Sequence, residues 1–171
     1  MIFRSGLQGG FASAAVAMHL VCLQLAQIHV KTAQAQTAVE RECDGGDAQA
    51  CNNWGYDLEH GDGVDIDLPR ALEVYRKACT LGEPFSCTNV GLFLQDARMG
   101  GTPDPQAALS FLRQGCDGQD PKGCAWVAKL HRDIPALNDP ALAADYAHRG
   151  CAMDHINSCV WQGIAFEDGA G

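Results

Sequence analysis

The sequence predicts an all-α chain built as a stack of helix hairpins stapled by cysteines, and three observations predict it. Cysteines return in pairs at one spacing, as CDGGDAQAC (43 to 51), CTLGEPFSC (79 to 87), CDGQDPKGC (116 to 124) and CAMDHINSC (151 to 159). The leading cysteines of successive pairs are 36, 37 and 35 residues apart, a period that marks a stacked repeat array. Between the pairs lie two apolar stretches of helical period separated by a turn signal.

The first unit, CNNWGYDLEHGDGVDIDLPRALEVYRKAC (51 to 79), justifies each element. Cys51, Trp54, Gly55 and Leu58 fall at i, i+3, i+4 and i+7 and share one face of a first helix, which must be buried. Gly55 admits a close neighbour on that face. Gly61 and Gly63 supply the permissive backbone that stops the helix and reverses the chain. Asp67 reads as the N-cap of a second helix, with Pro69 in its first turn. Ala71, Val74, Tyr75 and Ala78 form that helix's apolar face. Later units keep the register: Cys87, Val90, Gly91 and Leu94, then Cys124, Val127 and Ala128, with His131 in the place of Leu58. Second helices follow from Asp104 to Cys116 and from Asp139 to Cys151.

The ends of the chain read differently. Residues 1 to 39 hold no acidic side chain and run from Arg4 through FASAAVAMHLVCLQLAQI to Ala33-Gln34-Ala35, the outline of a secretory signal cleaved after Ala35. A membrane anchor or a mitochondrial presequence stays open. Residues 1–35 are thus the expected leader and 36–171 the repeat domain of about three and a half units. Cleavage removes Cys22 and leaves eight cysteines. An even count at fixed spacing behind an export leader argues for disulfides formed in an oxidising compartment. Zinc fits less well because structural zinc ligands usually come as close pairs, and CxxC redox chemistry lacks its motif. At the other end, Gly169 and Gly171 repeat the offsets of Gly61 and Gly63. The fourth unit is therefore expected to stop at its turn, leaving Trp161, Ile164 and Phe166 without a second helix.

A composition of 47% hydrophobic and 19% charged residues describes a foldable globular chain. The formal charge of −9 and the lack of any basic run argue against nucleic acid and anionic lipid as partners. Membrane association would follow only from an uncleaved leader.

The string WGYDLEHGDGVDIDLPRALEVYRKACTLG resembles the Sel-one-like repeat (SLR), a relative of the tetratricopeptide repeat, and the cysteine spacing is similar to that of its cysteine-rich secreted, Hcp-type branch. The likeness runs over residues 43 to 171 and weakens in the third unit, where Arg132-Asp133-Ile134-Pro135 replaces the Gly-x-Gly-Val turn. The resemblance implies a right-handed α/α solenoid in which each cysteine pair forms a disulfide. Counting agrees: pairing Cys43 with Cys51, Cys79 with Cys87, Cys116 with Cys124 and Cys151 with Cys159 uses all eight, whereas pairing across the hairpins strands Cys43 and Cys159. Each ring of nine residues contributes about 2 to 3 kcal/mol by the loop-entropy estimate.

Positions two, five, six and nine after the second cysteine of each pair point away from the predicted core face. They hold Asn53, Tyr56, Asp57 and His60; Asn89, Leu92, Phe93 and Asp96; Trp126, Lys129, Leu130 and Asp133; then Trp161, Ile164, Ala165 and Asp168. Asn53, Tyr56, Asp57, Asn89, Phe93, Trp126, Lys129 and Trp161 are the expected partner-binding residues, in a concave groove for a protein or peptide. The competing reading has the apolar members packing between hairpins. No cofactor, metal site or catalytic residue is expected. The Hcp-type resemblance carries penicillin binding and beta-lactamase activity as an alternative, yet SxxK, SDN and KTG are all absent. The expected location is secreted or periplasmic. A mitochondrial intermembrane-space assembly factor is the remaining alternative.

Overall fold

The structure, a computed structural model, describes residues 38–167. The predicted leader, Cys22, Gly169 and Gly171 lie outside the described residues. After the helical residues 38–44 (α1) come α2 (Ala48–His60), α3 (Leu68–Thr80), α4 (Pro84–Gln95), α5 (Pro105–Asp117), α6 (Pro121–Asp133), a 3₁₀ turn (Pro135–Leu137), α7 (Pro140–Cys151) and α8 (Ile156–Glu167). No strand occurs among the described residues. Each helix packs mainly on its sequence neighbours, so α2–α3, α4–α5 and α6–α7 form three stacked hairpins with α8 laid against the last.

Local chemistry repeats with the sequence. Asp67, Asp104 and Asp139 cap the second helices, their Oδ1 atoms accepting from Arg70 N–H (3.0 Å), Ala107 N–H (2.9 Å) and Leu142 N–H (3.0 Å). Each has a proline in the first turn that follows, where the missing N–H costs nothing. The same three aspartates donate their backbone N–H groups to Leu58 O, Leu94 O and His131 O at 2.9, 3.0 and 3.0 Å. This clamp closes every hairpin at one register. Gly61 and Gly63 both take positive φ, at 75° and 74°, as the chain reversal requires.

The third hairpin closes without glycines. His131 is 4% exposed, and its Nδ1 lies 2.8 Å from Leu137 O while Arg113 Nη2 lies 3.1 Å from its Nε2. The arginine can only donate, so the ring is neutral at Nε2 and donates from Nδ1 to the carbonyl. Histidine in the place of Leu58 thus pins the Arg132-Asp133-Ile134-Pro135 departure to the hairpin.

All four predicted disulfides are present: Cys43–Cys51, Cys79–Cys87, Cys116–Cys124 and Cys151–Cys159, with Cα separations of 4.5, 4.7, 4.5 and 4.5 Å. Cys43–Cys51 ties α1 to α2, and each of the others ties the end of one hairpin to the helix that follows.

The core lies in layers between the hairpins. Trp54, Leu58, Ala71, Leu72 and Tyr75 of the first hairpin meet Val90 and Phe93 of α4. Leu92, Ala108, Leu109 and Leu112 of the second meet Val127 and Leu130 of α6. Glycine sets the helix approach within a hairpin: a Cβ on Gly55 would lie 2.8 Å from the Tyr75 ring, and one on Gly91 2.6 Å from Leu112 Cγ. In the third hairpin these two places hold Ala128 and Ala147, both buried. A large side chain facing a glycine and a small one facing a small one fill the gap equally.

Candidate functional site

The first helices of adjoining hairpins also meet directly, α4 with α6 and α6 with α8, while contacts between second helices are weaker. The candidate residues lie on these first helices. Asn53 and Tyr56 are exposed, and Asp57, Asn89, Trp126, Lys129 and Trp161 are partly exposed.

Phe93 is a correction. It is 3% exposed and sits in the first core layer, its ring centre 6.0 Å from that of Tyr75. Leu92 and Leu130, at 2% and 1% exposure, are likewise core. The cause is the environment of an inner first helix, which is enclosed by its own partner, by the preceding second helix and by first helices on its flanks. On α4 and α6 the place two after the cysteine stays partly open, and the place nine after it, Asp96 and Asp133, is exposed.

That strip carries Asn53, Asn89, Trp126 and Trp161 on α2, α4, α6 and α8 in turn. At the N-terminal end Asn53 Oδ1 accepts from Gln49 Nε2 at 3.0 Å, and the Tyr56 ring stacks on His60 with centres 4.0 Å apart. Burial, and then the charge of Asp62, raise the Asp57 carboxyl above its ordinary value. At the C-terminal end Lys129 Nζ sits 5.7 Å from the Trp126 ring centre and Arg132 lies 4.8 Å over Trp161. Asp133 accepts from Arg132 (2.6 Å) and Lys129 (2.7 Å), and these two donors, arginine first, hold its carboxyl down at about 2. Each tryptophan is thus flanked by a cation whose charge is already balanced. The strip changes along the stack from an asparagine, phenol and carboxylate surface to an indole and cation surface.

A family model described as the Sel1 repeat matches residues 48–83 and 84–120. Residues 48–120 are Sel1 repeats. The matched spans are α2–α3 and α4–α5 with their connecting joints. The α6–α7 hairpin repeats their clamp, cap and disulfide beyond the matched span.

Solved structures share the fold. A Sel1 repeat protein from Oxalobacter formigenes aligns with a TM-score of 0.66 at 21% identity over 73% of this chain and 51% of its own. A protective antigen present in uropathogenic Escherichia coli strains, displaying an SLR fold, aligns at 0.73 and 15% identity over 86% of this chain and 33% of its own. Helicobacter pylori cysteine rich protein B aligns at 0.59 and 16% identity over 77% of this chain and 95% of its own. The chain spans about half the length of the first of these and a third of the second. No curated protein sequence matches it. Sel1 repeats commonly mediate protein–protein interaction.

Two features of these repeats went unread in the sequence. Arg132 was read as part of a degraded turn, yet it stacks on Trp161 of the next first helix; no periodic signal marks a side chain at a helix end. Arg98, in the loop after α4, pairs with Glu59 of α2, whose Oε2 also accepts from the Tyr75 hydroxyl at 2.9 Å. Burial first, then the Glu59 charge, push that phenol far above its ordinary value. Loop arginines carry no register, so only the folded chain reveals this link between hairpins.

Proposed function

We propose that the chain is an exported, non-catalytic binding protein that holds a protein or peptide segment along the inner face of its first helices. The supporting observation is the strip of Asn53, Asn89, Trp126 and Trp161, one residue per first helix at one register, all open to solvent in part or in full. Asparagine can bond an extended backbone as donor and acceptor, and indole rings supply large contact area. Asp57, Tyr56 and Lys129 flank the strip and add charge and hydrogen bonding at its ends. Four disulfides support an oxidising compartment, secreted or periplasmic. No helix among the described residues is long and apolar enough to cross a membrane.

Photo-crosslinking groups placed at Asn89 and at Trp126 are expected to capture one and the same partner, while a group at Glu73, exposed on α3, captures none. Equal capture from Glu73 would sink the inner-face reading. Replacing Asn53, Asn89 and Trp126 together is expected to weaken capture with helicity and thiol state unchanged. Nitrocefin turnover that survives purification and disappears on a specific substitution would defeat the binding-only reading in favour of the hydrolase alternative.

A further inference from the structure

Two histidines hold the α6–α8 part of the molecule through bonds that only a neutral ring makes. His131 stands seven places after the second cysteine of its pair, where the first two hairpins carry Leu58 and Leu94. It is 4% exposed, with Nδ1 2.8 Å from Leu137 O and Nε2 3.1 Å from Arg113 Nη2 of α5. The guanidinium only donates, so a proton on Nε2 removes the acceptor and brings two cations together in the core. Arg113 Nε is buried without a partner, and among the described residues no carboxylate pairs with Arg113 or with His131. From α7, the Tyr146 ring lies over His131 with centres 6.5 Å apart, and the Asp139 carboxylate accepts from Ala141 and Leu142 N–H instead. A helix C-terminus favours a cation, but not one buried against a guanidinium.

His155 stands four places before the second cysteine of its pair, at the entry to α8, where the other three joints carry Asp47, Glu83 and Asp120. Those carboxylates accept from Ala50, Phe85 and Lys122 N–H at 2.9, 3.3 and 3.0 Å, and their charge suits a helix N-terminus. His155 Nδ1 accepts from Ser158 N–H at 3.3 Å, with Ser158 Oγ 3.0 Å away. A backbone N–H cannot accept, so a proton on Nδ1 ends this cap and adds a cation where the helix end disfavours one. From α7 the ring's residue meets the carbonyl of Gly150, which accepts its backbone N–H at 3.1 Å, and among the described residues no carboxylate pairs with the ring. His60 and His148 differ. His60 donates from Nδ1 to Tyr56 O in the last turn of α2, a bond that survives protonation, and Gln162 can turn either end of its amide to His148.

We propose that α6–α8 is an acid-sensitive element of the stack. As pH falls below the ordinary histidine range, about 6.5, His131 and His155 take up protons, the third hairpin loses its closing bonds and α8 its cap, while the hairpins closed by Leu58 and Leu94 hold. Trp126 and Lys129 on α6 and Trp161 on α8 then lose their arrangement, so the indole half of the strip lets go of its partner in acid. That last consequence rests on the binding reading above; the acid opening itself does not.

The test is amide hydrogen exchange of the free, oxidised chain at about pH 7.5 and about pH 5, corrected for the intrinsic exchange rate. Protection over α6 to α8 is expected to fall about tenfold or more at the lower pH, and that over α2 to α4 to change less than about threefold. His131→Leu combined with His155→Asp, the residue types of the earlier units, is expected to hold the α6–α8 change below about threefold. His155→Asp alone, at a partly exposed cap, is expected to keep α8 protected at the lower pH. Unchanged protection in α6–α8, an equal loss in α2–α4, or a loss that persists in both variants overturns the proposal. Photo-crosslinking from Trp126 is expected to drop at the lower pH, and capture that stays level while protection falls overturns the release of the partner. Capture at neither pH counts against the binding reading and not against the acid opening, because exchange is read on the chain without a partner.

Discussion

In the α4–α5 hairpin Leu112 is completely buried over Gly91 and the following joint, Cys116–Cys124, is at most 2% exposed. At the α7–α8 end Gly163 faces nothing, Ile164 is 43% exposed, and Cys159 is exposed with Cys151 only partly covered. Both regions carry a cysteine pair at the same spacing and a glycine four places after its second member. What separates them is cover: α5 of the same hairpin rests on α4, and among the described residues no helix rests on that face of α8. In a stack of this kind burial is set by the helix–helix interface and not by one helix alone, and nearest-neighbour terms between units add to it.

The contrast is sharpest in side-chain truncation. Leu112→Ala is expected to cost about 2 to 5 kcal/mol, while Ile164→Ala stays within about 0.5 kcal/mol, as an exposed substitution does. Urea unfolding of the two variants beside the parent measures both. Equal losses would mean that α8 is as well covered as α4.

Removing one staple at a time comes next. Replacing Cys116 and Cys124 by serine is expected to cost about 2 to 4 kcal/mol, and replacing Cys151 and Cys159 distinctly less, because only α8 depends on that ring. Under graded reductant with trapping alkylation, Cys151 and Cys159 are expected to label first. Earlier labelling of Cys116 and Cys124 in the mass spectrum would break the comparison.

Adding a methyl group inverts the sign. Gly91→Ala pushes a Cβ to 2.6 Å from Leu112 Cγ and 3.2 Å from Ala108 O, which is expected to cost about 1 to 3 kcal/mol by overpacking. Gly163→Ala meets open space and is expected to stabilise α8 by up to about 1 kcal/mol through helix propensity. Thermal melts that move in the same direction for both would refute the open notch.

The smallest effect concerns Asp133 at the end of α6. Its folded-state value of about 2 lies below the ordinary 3.8, so its contribution is present above the ordinary value and is lost as pH falls through about 2. The group is a third exposed on its side chain, so screening limits that contribution to below about 1 kcal/mol. The gap in Tm between the parent and Asp133→Asn is expected to shrink as pH drops from 4 through 2. A gap that is constant over this range would show that the Arg132 and Lys129 contacts do not stabilise the fold.

Much of the candidate site was legible and some of it was not. Asn53, Asn89, Trp126 and Trp161 could be aligned by counting from a cysteine, because one helical register carries through all four first helices. Phe93 could not be placed that way. A helical wheel assigns one buried face, but α4 reads PFSCTNVGLFLQ and is apolar around most of its circumference, the mark of a helix enclosed by neighbours. Its second buried face belongs to the layer shared with the preceding hairpin, and no single-helix argument contains that layer.

The sequence by itself determined the hairpins, their caps, their turns and which cysteines join, because each of these depends on residues within a span of about one unit. Asp67, Gly61 and the spacing of eight act through local hydrogen bonds, local φ and short ring closure. Only the tertiary structure decided which first-helix positions stay open, that Arg98 reaches Glu59, that His131 bonds the turn that replaces the glycines, and that Gly163 is an empty notch while Gly91 is filled. Those outcomes rest on contacts between separate helices and loops, as far apart as 39 residues for Arg98 and Glu59, where the identity of the neighbour, and not the periodicity of the helix, sets what is buried.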